Sequence, residues 1–350
     1  MGSRLSRIRR ISGSLAVCLL GGSLLLAVPA LAEPDSLPVI QEEEAAAVQT
    51  KQYAERKDLF LKVEMLTGIP WYRLAAVDQY ERVLGVAQKR KPRPGSLTSI
   101  HYTEAEWAGP LNPDPNDRNL RSIAVFQGKG RDGSGDGLAD RTNDLDVLMA
   151  TAQFLLRYGT ADEDWNIGVW EYYQNSRSVE RIEQFAKLYE TFGKLDLGMH
   201  AFPLPLKSTY SYKGTWGASR GWGGHRIHEG TDLFAGYGVP ARSTVYGVIE
   251  EKGWNPYGGW RIGIRDLNGI YYYYAHLSGF DKRQKVGDVV KPGQTLGWVG
   301  SSGYGKPGTS GKFPPHLHFG MYRDYGMADW PFDPYPHLRK WEREERGRAK

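Results

Sequence analysis

The stretch Phe313-Pro314-Pro315-His316-Leu317-His318-Phe319-Gly320 decides the reading of this chain. In an extended strand, residues two apart point to one face, so His316 and His318 stand side by side with Leu317 turned away. Two imidazoles so placed can share one metal ion, or one can bind it while the other handles a proton. Alone, His-x-His is a weak signal, because strand histidines are commonly polar surface residues. Two upstream segments strengthen it, His228-Glu229-Gly230-Thr231-Asp232 and Tyr274-Ala275-His276-Leu277-Ser278. Zinc in hydrolases takes three nitrogen or oxygen side chains and leaves a fourth position to water. Four of the eight histidines in the chain fall in these three segments, which is too concentrated for scattered surface residues.

A glycine-rich turn, Gly297-Trp298-Val299-Gly300-Ser301-Ser302-Gly303, precedes the His-x-His pair. His-x-Gly-x-Asp, a lone His after an aromatic run, this turn and His-x-His, in that order, resemble the lysostaphin-type peptidoglycan metallopeptidases of family M23. The likeness covers roughly residues 199–339. It implies an all-β, antiparallel-sheet peptidase domain at 198–340, with one Zn2+ held by His228, Asp232 and His318. His276 and His316 are then the catalytic histidines. Gly320 departs from relatives that carry an acidic residue there. The implied reaction is amide hydrolysis in a peptidoglycan stem peptide, with no Ser or Cys nucleophile. Segments 199–212, 216–232, 259–266, 300–305, 311–321 and 332–337 resemble the sporulation branch of the family, which implies the L-Ala–D-Glu bond of spore cortex. A D-Ala–diaminopimelate or glycyl-glycine cross-bridge endopeptidase remains the alternative within the class. A non-catalytic wall-binding activator of other hydrolases is the alternative outside it.

Short alternating runs at 244–250, 260–265, 270–276 and 294–299 predict strands joined by hairpins. Asp266-Leu267-Asn268-Gly269 is a turn, since Asn-Gly readily supplies positive φ. Tyr271 to Tyr274 alternate, so two of them can face a cleft and two the core or solvent. The aromatic loop 210–224, with Trp216 and Trp222, suits a cleft wall. His225 is a spare wall residue, and His200 and His337 are ordinary surface or packing residues. The tail 341–350 is charged and is expected to be a short exposed helix.

The formal charge of +5 carries no nucleic-acid signal. Residues 1–32 hold Arg4, Arg7, Arg9 and Arg10 and no acid, leaving 41 basic against 40 acidic residues in the remainder. That beginning has the form of a signal peptide: a basic start, an apolar run from Leu15 to Val28, then Ala30-Leu31-Ala32. Cleavage there predicts a secreted protein of the cell wall or spore cortex with no lasting membrane span. An uncleaved signal would instead anchor it to the membrane. Cys18, the only cysteine, lies inside this run, so the mature chain has no disulfide.

Residues 33–59 read as a helical linker and 60–197 as a mostly helical domain. Pro70 suits a helix start, and further helices are expected at 145–157 and 179–192. Gly68-Ile69-Pro70-Trp71-Tyr72-Arg73-Leu74, Gly135-Asp136-Gly137-Leu138-Ala139-Asp140 and Trp170-Glu171-Tyr172-Tyr173-Gln174-Asn175 resemble the lysozyme-like transglycosylase fold. That resemblance places Glu81 where the glycosidase acid stands. Arg82 replaces the usual Ser, and an adjacent Arg favours the ionised form, wrong for an acid catalyst. Glu81 is therefore read as a solvated helix-surface residue of a domain that binds the glycan strand or acts as a spacer. Asp132, Ser134, Asp136 and Asp140, with Gly137 at the sixth position, match part of a Ca2+ loop. Asn143 stands where the bidentate Glu belongs, and a plain Asp/Gly turn fits equally well.

Overall fold

In a computed structural model the described residues are 37–221, 225–324 and 328–349. The segment 1–32, read as an export signal, lies outside them. Among the described residues, no helix is long and apolar enough to cross a membrane.

Among the described residues, seven α-helices come first: α1 (Leu37–Thr67), α2 (Trp71–Ala87), α3 (Glu104–Ala108), α4 (Leu120–Val125), α5 (Asp144–Leu155), α6 (Asp162–Tyr173) and α7 (Ser176–Phe192). The expected linker boundary at 59/60 falls inside α1, which has no Gly or Pro after Pro38 and buries Leu59, Phe60 and Val63. Gly68, at φ +77°, ends it in the left-handed conformation that glycine adopts without penalty. Pro70 caps α2, which buries a polar stripe of Asp78, Gln79 and Glu81 along with its apolar side. Asp78 is held there by Arg56 at 2.6 Å and by the Ser99 amide at 2.5 Å.

Twelve strands and a last helix follow among the described residues. They are β1 (Tyr210–Tyr212), β2 (Ser219–Arg220), β3 (Arg226–Ile227), β4 (Thr231–Ala235), β5 (Pro240–Arg242) and β6 (Gly247–Asn255), then β7 (Gly259–Arg265), β8 (Ile270–Phe280), β9 (Val289–Val290), β10 (Thr295–Val299), β11 (His316–Asp324), β12 (Asp329–Phe332) and α8 (Tyr335–Arg348). The main sheet runs β1-β4-β11-β8-β7-β6-β9, antiparallel throughout, with β10 joining β5 to β8 and β12 on β11. The β7–β8 turn is the expected Asn-Gly turn, with Gly269 at φ +71°. Alternation along β8 sends Tyr272 and Tyr274 into the core and Tyr271 and Tyr273 into a cleft.

The charged tail differs from expectation. α8 begins at Tyr335, before the expected start, and Leu338 and Trp341 are buried. His200 stacks on Trp341 with the rings 4.8 Å apart, and Glu342 accepts the hydroxyls of Tyr210 and Tyr212. Charge alone suggested a solvated tail, whereas two apolar residues three apart were enough to fasten it to the sheet.

Residues Ala47–Lys350 group as one compact unit, and the helical core extends to Tyr246, Val248 and Leu267 of the sheet region. A buried ionic seam joins the two parts. Glu250 accepts Arg181 at 2.6 Å and Arg265 at 2.8 Å, and Arg265 also reaches Asp329 at 2.9 Å. Replacing Glu250 by Ala takes one carboxylate from two buried guanidinium groups, leaving Arg265 with Asp329 and Arg181 with Asp324. Thermal or urea unfolding should register a loss of about 3 kcal/mol, the size seen when one member of a buried ion pair is removed.

Candidate metal centre

The register of three strands assembles the site. On β11, His318 lies opposite Asp232 of β4 on one side and Ala275 of β8 on the other. Residues facing each other across a ladder share a face, so Asp232 and His318 project together. His228 enters from the segment before β4. Its Nδ1 donates to the Thr215 carbonyl at 3.0 Å, which leaves the Nε2 lone pair for the site. Gly230 is required by close approach: a Cβ there would lie 2.6 Å from His318 Cε1 and 2.7 Å from the Phe319 carbonyl. The glycine of His-x-Gly-x-Asp thus lets β4 lie tight against the His318 ring.

Among the described residues, one group of His, Cys, Asp and Glu converges closely enough to hold a metal ion, and it is His228, Asp232 and His318. His228 Nε2 and His318 Nδ1 are 2.9 Å apart, and each is 3.0 Å from Asp232 Oδ1. Ligands of a tetrahedral ion about 2.1 Å away sit about 3.4 Å from one another, so a small expansion admits the ion. Two nitrogens and one carboxylate oxygen form a donor set suited to it. The second carboxylate oxygen accepts Arg220 at 2.5 Å. Burial alone would push the Asp232 carboxyl up, but its close contacts with His228 and His318 prevail and hold it far below the usual range. It is an anion at every physiological pH.

His276 and His316 flank this group. His316 Nδ1 donates to the Pro314 carbonyl at 2.9 Å, and its Nε2 comes within 3.6 Å of Asp232 Oδ1. His276 Nδ1 donates to the Ser302 carbonyl at 2.7 Å, which the glycine-rich turn presents. Both rings therefore offer Nε2 as an acceptor, and their centroids are 4.8 Å apart. Burial and the nearby His318 and His316 push the His276 imidazole down to about 3, and burial also lowers His316. His276 has φ +63°, a left-handed conformation that costs a non-glycine residue roughly 1–2 kcal/mol. It marks a bulge in β8, where the pairing with β7 shifts by one residue between Trp260 and Ile262. Without the bulge, strict alternation from Tyr273 would send residue 276 into the core. The strain is stored where the chain needs one extra inward-facing imidazole.

All five residues line a cleft of about 630 Å³. Sequence reasoning missed several of its walls: Arg220 and Arg226 on the β2–β3 hairpin, Glu251 and Arg261 on β6 and β7, and Tyr322 on β11. Tyr322 follows His318 by four residues of one strand, so parity could have found it. The arginines left no signal beyond lying near the motif. His225 is exposed and does not line the cleft. Trp216 does not line it either, and Trp222 is outside the described residues.

The remaining candidates lie elsewhere, and two expectations change. Glu81 is 6% exposed, not solvated, and its Oε2 accepts Arg90 at 2.8 Å. Burial raises its carboxyl pKa, with Arg90 opposing. Arg82 pairs instead with Asp78, because one helical turn separates those two. The Ca2+ loop is also corrected. Asp132 accepts the amides of Gly135 and Gly137, Asp136 that of Leu138, and Asp140 that of Thr142 while pairing with Arg118. Ser134 donates to Asp132. These oxygens hold a loop together instead of converging on an ion, so the Asp/Gly turn is the description that stands.

The description Peptidase family M23 matches residues 226–334. The L-Ala–D-Glu endopeptidase of Bacillus subtilis is 56% identical over 292 residues, 83% of this chain and 90% of that protein. Lysostaphin of Staphylococcus staphylolyticus is 39% identical over 115 residues, 32% of this chain and 22% of its own length. The solved catalytic domain of lysostaphin from Staphylococcus simulans is 34% identical, with a TM-score of 0.30, and the match covers 38% of this chain and 92% of that one. With its His-x-Gly-x-Asp and His-x-His segments brought to one cleft, and a relative matched over nearly its whole length, this chain belongs to peptidase family M23.

Proposed function

We propose that this chain is a zinc-dependent endopeptidase of peptidoglycan, exported to the cell wall or spore cortex, that cuts the L-Ala–D-Glu bond of stem peptides. The observation that carries the reading is the convergence of His228, Asp232 and His318 within about 3 Å, flanked by His276 and His316. The 56% identity to an L-Ala–D-Glu endopeptidase over 90% of its length supports the choice of bond. His228 Nε2, Asp232 Oδ1 and His318 Nδ1 would hold the ion. Such an ion supplies a Lewis acid for the scissile carbonyl and makes water acidic enough to attack near neutral pH.

The protein's own groups do the rest. His276 and His316 are anchored at Nδ1 and kept neutral by burial, so each has an Nε2 lone pair ready at neutral pH. One takes the proton of the attacking water at Nε2 and delivers it to the departing amine, while the other accepts a hydrogen bond from that water and orients it. Arg220 fixes the Asp232 carboxylate, so the ligand does not rotate as charge builds. Tyr271 and Tyr273 form an aromatic wall on which an extended peptide can lie.

The helical region we read as a lysozyme-like unit that holds glycan without cutting it. The ion pair of Glu81 with Arg90 favours a structural role for this carboxylate. Glu81→Gln should leave wall-degrading activity unchanged. Release of anhydro-muropeptides by the wild type, abolished in the variant, would make Glu81 an acid catalyst instead. The function itself is tested by digesting purified peptidoglycan and identifying new termini by mass spectrometry. New amino-terminal D-Glu with carboxy-terminal L-Ala supports the reading. New amino-terminal glycine or diaminopimelate would move it to the cross-bridge, and no new termini would make the protein an activator of other hydrolases.

A further inference from the structure

We propose that Arg226 is the specificity-determining cation of this cleft, taking the free carboxylate of the D-Glu residue on the leaving side of the scissile bond. The proposal rests on the L-Ala–D-Glu reading above and names the group that would enforce it. D-Glu in such a bond has its amine acylated by L-Ala and carries two carboxyl groups. At most one of them continues the chain. The other remains an anion, its carbon two or four bonds from the scissile nitrogen, hence within about 5 Å of it. A site that cuts this bond must therefore place an anion beside its own reacting centre, next to the Asp232 carboxylate. An uncompensated anion in a half-enclosed cleft is costly, so a dedicated cation is expected there.

Three guanidinium groups line the cleft, and two are committed. Arg220 is held by Asp232, and Arg261 pairs with Glu251, whose Oε2 also accepts the Tyr271 hydroxyl at 2.7 Å. Arg226 differs. Among the described residues its side chain has no carboxylate or carbonyl partner, and its Nε is shielded from solvent without an acceptor. Its guanidinium instead lies over Tyr257, 5.1 Å from the ring centroid, and 6.0 Å from that of Tyr304. Tyr304 packs edge-on against His276 with the centroids 5.8 Å apart. Arg226 is thus linked through one aromatic ring to a catalytic imidazole, on the side of the cleft where the glycine-rich turn closes. It pairs with Arg220 across the β2–β3 hairpin and lies two residues before His228, so its backbone is fixed to the metal centre.

An arginine stacked on aromatic faces is pre-ordered at little further entropic cost, and its planar fork matches a carboxylate with two parallel hydrogen bonds. Glu229, another charge of the cleft, is the wrong sign for this task. It lies toward Tyr322, whereas Arg226 lies toward Tyr257 and Tyr304.

The test compares two peptides that differ at one group: L-Ala–D-Glu followed by the next stem residue, and the same peptide with the free carboxylate converted to a carboxamide. The full-length protein, loaded with zinc, should prefer the carboxylate peptide by about 10- to 100-fold in kcat/KM, the range for a hydrogen-bonded ion pair. Arg226→Gln should lose that preference by cutting the carboxylate peptide more slowly while its rate on the carboxamide peptide is unchanged. Arg226→Lys should keep part of the preference, since it retains charge but not the fork. Equal slowing on both peptides by Arg226→Gln and Arg226→Lys, or a wild type indifferent to the carboxamide, overturns the proposal alone. A wild type that cuts neither peptide overturns the bond assignment and this proposal with it.

Discussion

Asp232→Ala should lose both metal and turnover, with peptidase activity falling by roughly three orders of magnitude or more as the ion that activates water and carbonyl is lost. The size follows from how many groups this carboxylate serves. Its Oδ1 lies 3.0 Å from both His228 and His318, and its Oδ2 holds Arg220. Removing it leaves two imidazoles, which bind zinc weakly, and a guanidinium with no anion at the cleft floor. Asp232→Asn is the sharper variant. It keeps the shape and one oxygen but removes the negative charge, so it should retain the fold and still lose tight metal binding. Metal analysis after gel filtration, alongside hydrolysis of a stem peptide, checks both variants. Asp232→Ala with full zinc content would remove this residue from the ligand set.

The second large effect is at His276. Its replacement by Ala should lower kcat by about 10²- to 10⁴-fold, the range for losing a general acid–base group. Zinc content should stay near one per chain, because Nδ1 is turned away to the Ser302 carbonyl and Nε2 lies outside the cluster of three. The melting temperature separates chemistry from architecture. The bulge is fixed by the amide of residue 276 donating to the Gly258 carbonyl at 2.7 Å, a backbone bond that Ala preserves. Loss of activity with unchanged metal and a near-normal melting curve is the expected result. Activity near that of wild type would remove His276 from the reaction.

The histidines could be read from the sequence because strand parity is a strict rule. His316 and His318 share a face wherever the chain is extended, and the Asn-Gly turn fixes the hairpin that brings β8 beside β11. The same parity divided Tyr271 to Tyr274 two and two without saying which pair faces the cleft; the structure turns Tyr271 and Tyr273 to it and Tyr272 and Tyr274 to the core. His276 is the exception that parity cannot reach. Its inward direction depends on a one-residue bulge and a left-handed backbone, and no residue type at 274–278 announces either. The glycine-rich turn was visible, but not that Ser302 would present its carbonyl to this ring. Glu81 and Trp341 were misjudged for one common reason. Local composition suggested exposure, while burial was decided by partners far along the chain: Arg90 and the helical core for one, the sheet and His200 for the other. The seam of Arg181, Glu250 and Arg265 was equally hidden, since a charged residue does not indicate which distant charge it will meet. The short-range rules located the candidate metal-binding cluster, whereas the long-range pairings decided how the helical region is joined to it.

The division of labour among the histidines is tested most directly by zinc content and turnover of His316→Ala and His318→Ala, purified side by side. The two positions are two residues apart on one strand face, so differences in folding or access largely cancel. His318→Ala should hold almost no zinc and show no activity. His316→Ala should hold close to one zinc per chain and turn over about 10²-fold or more slowly than wild type. Equal zinc content in both variants, or full activity in either, would contradict the assignment.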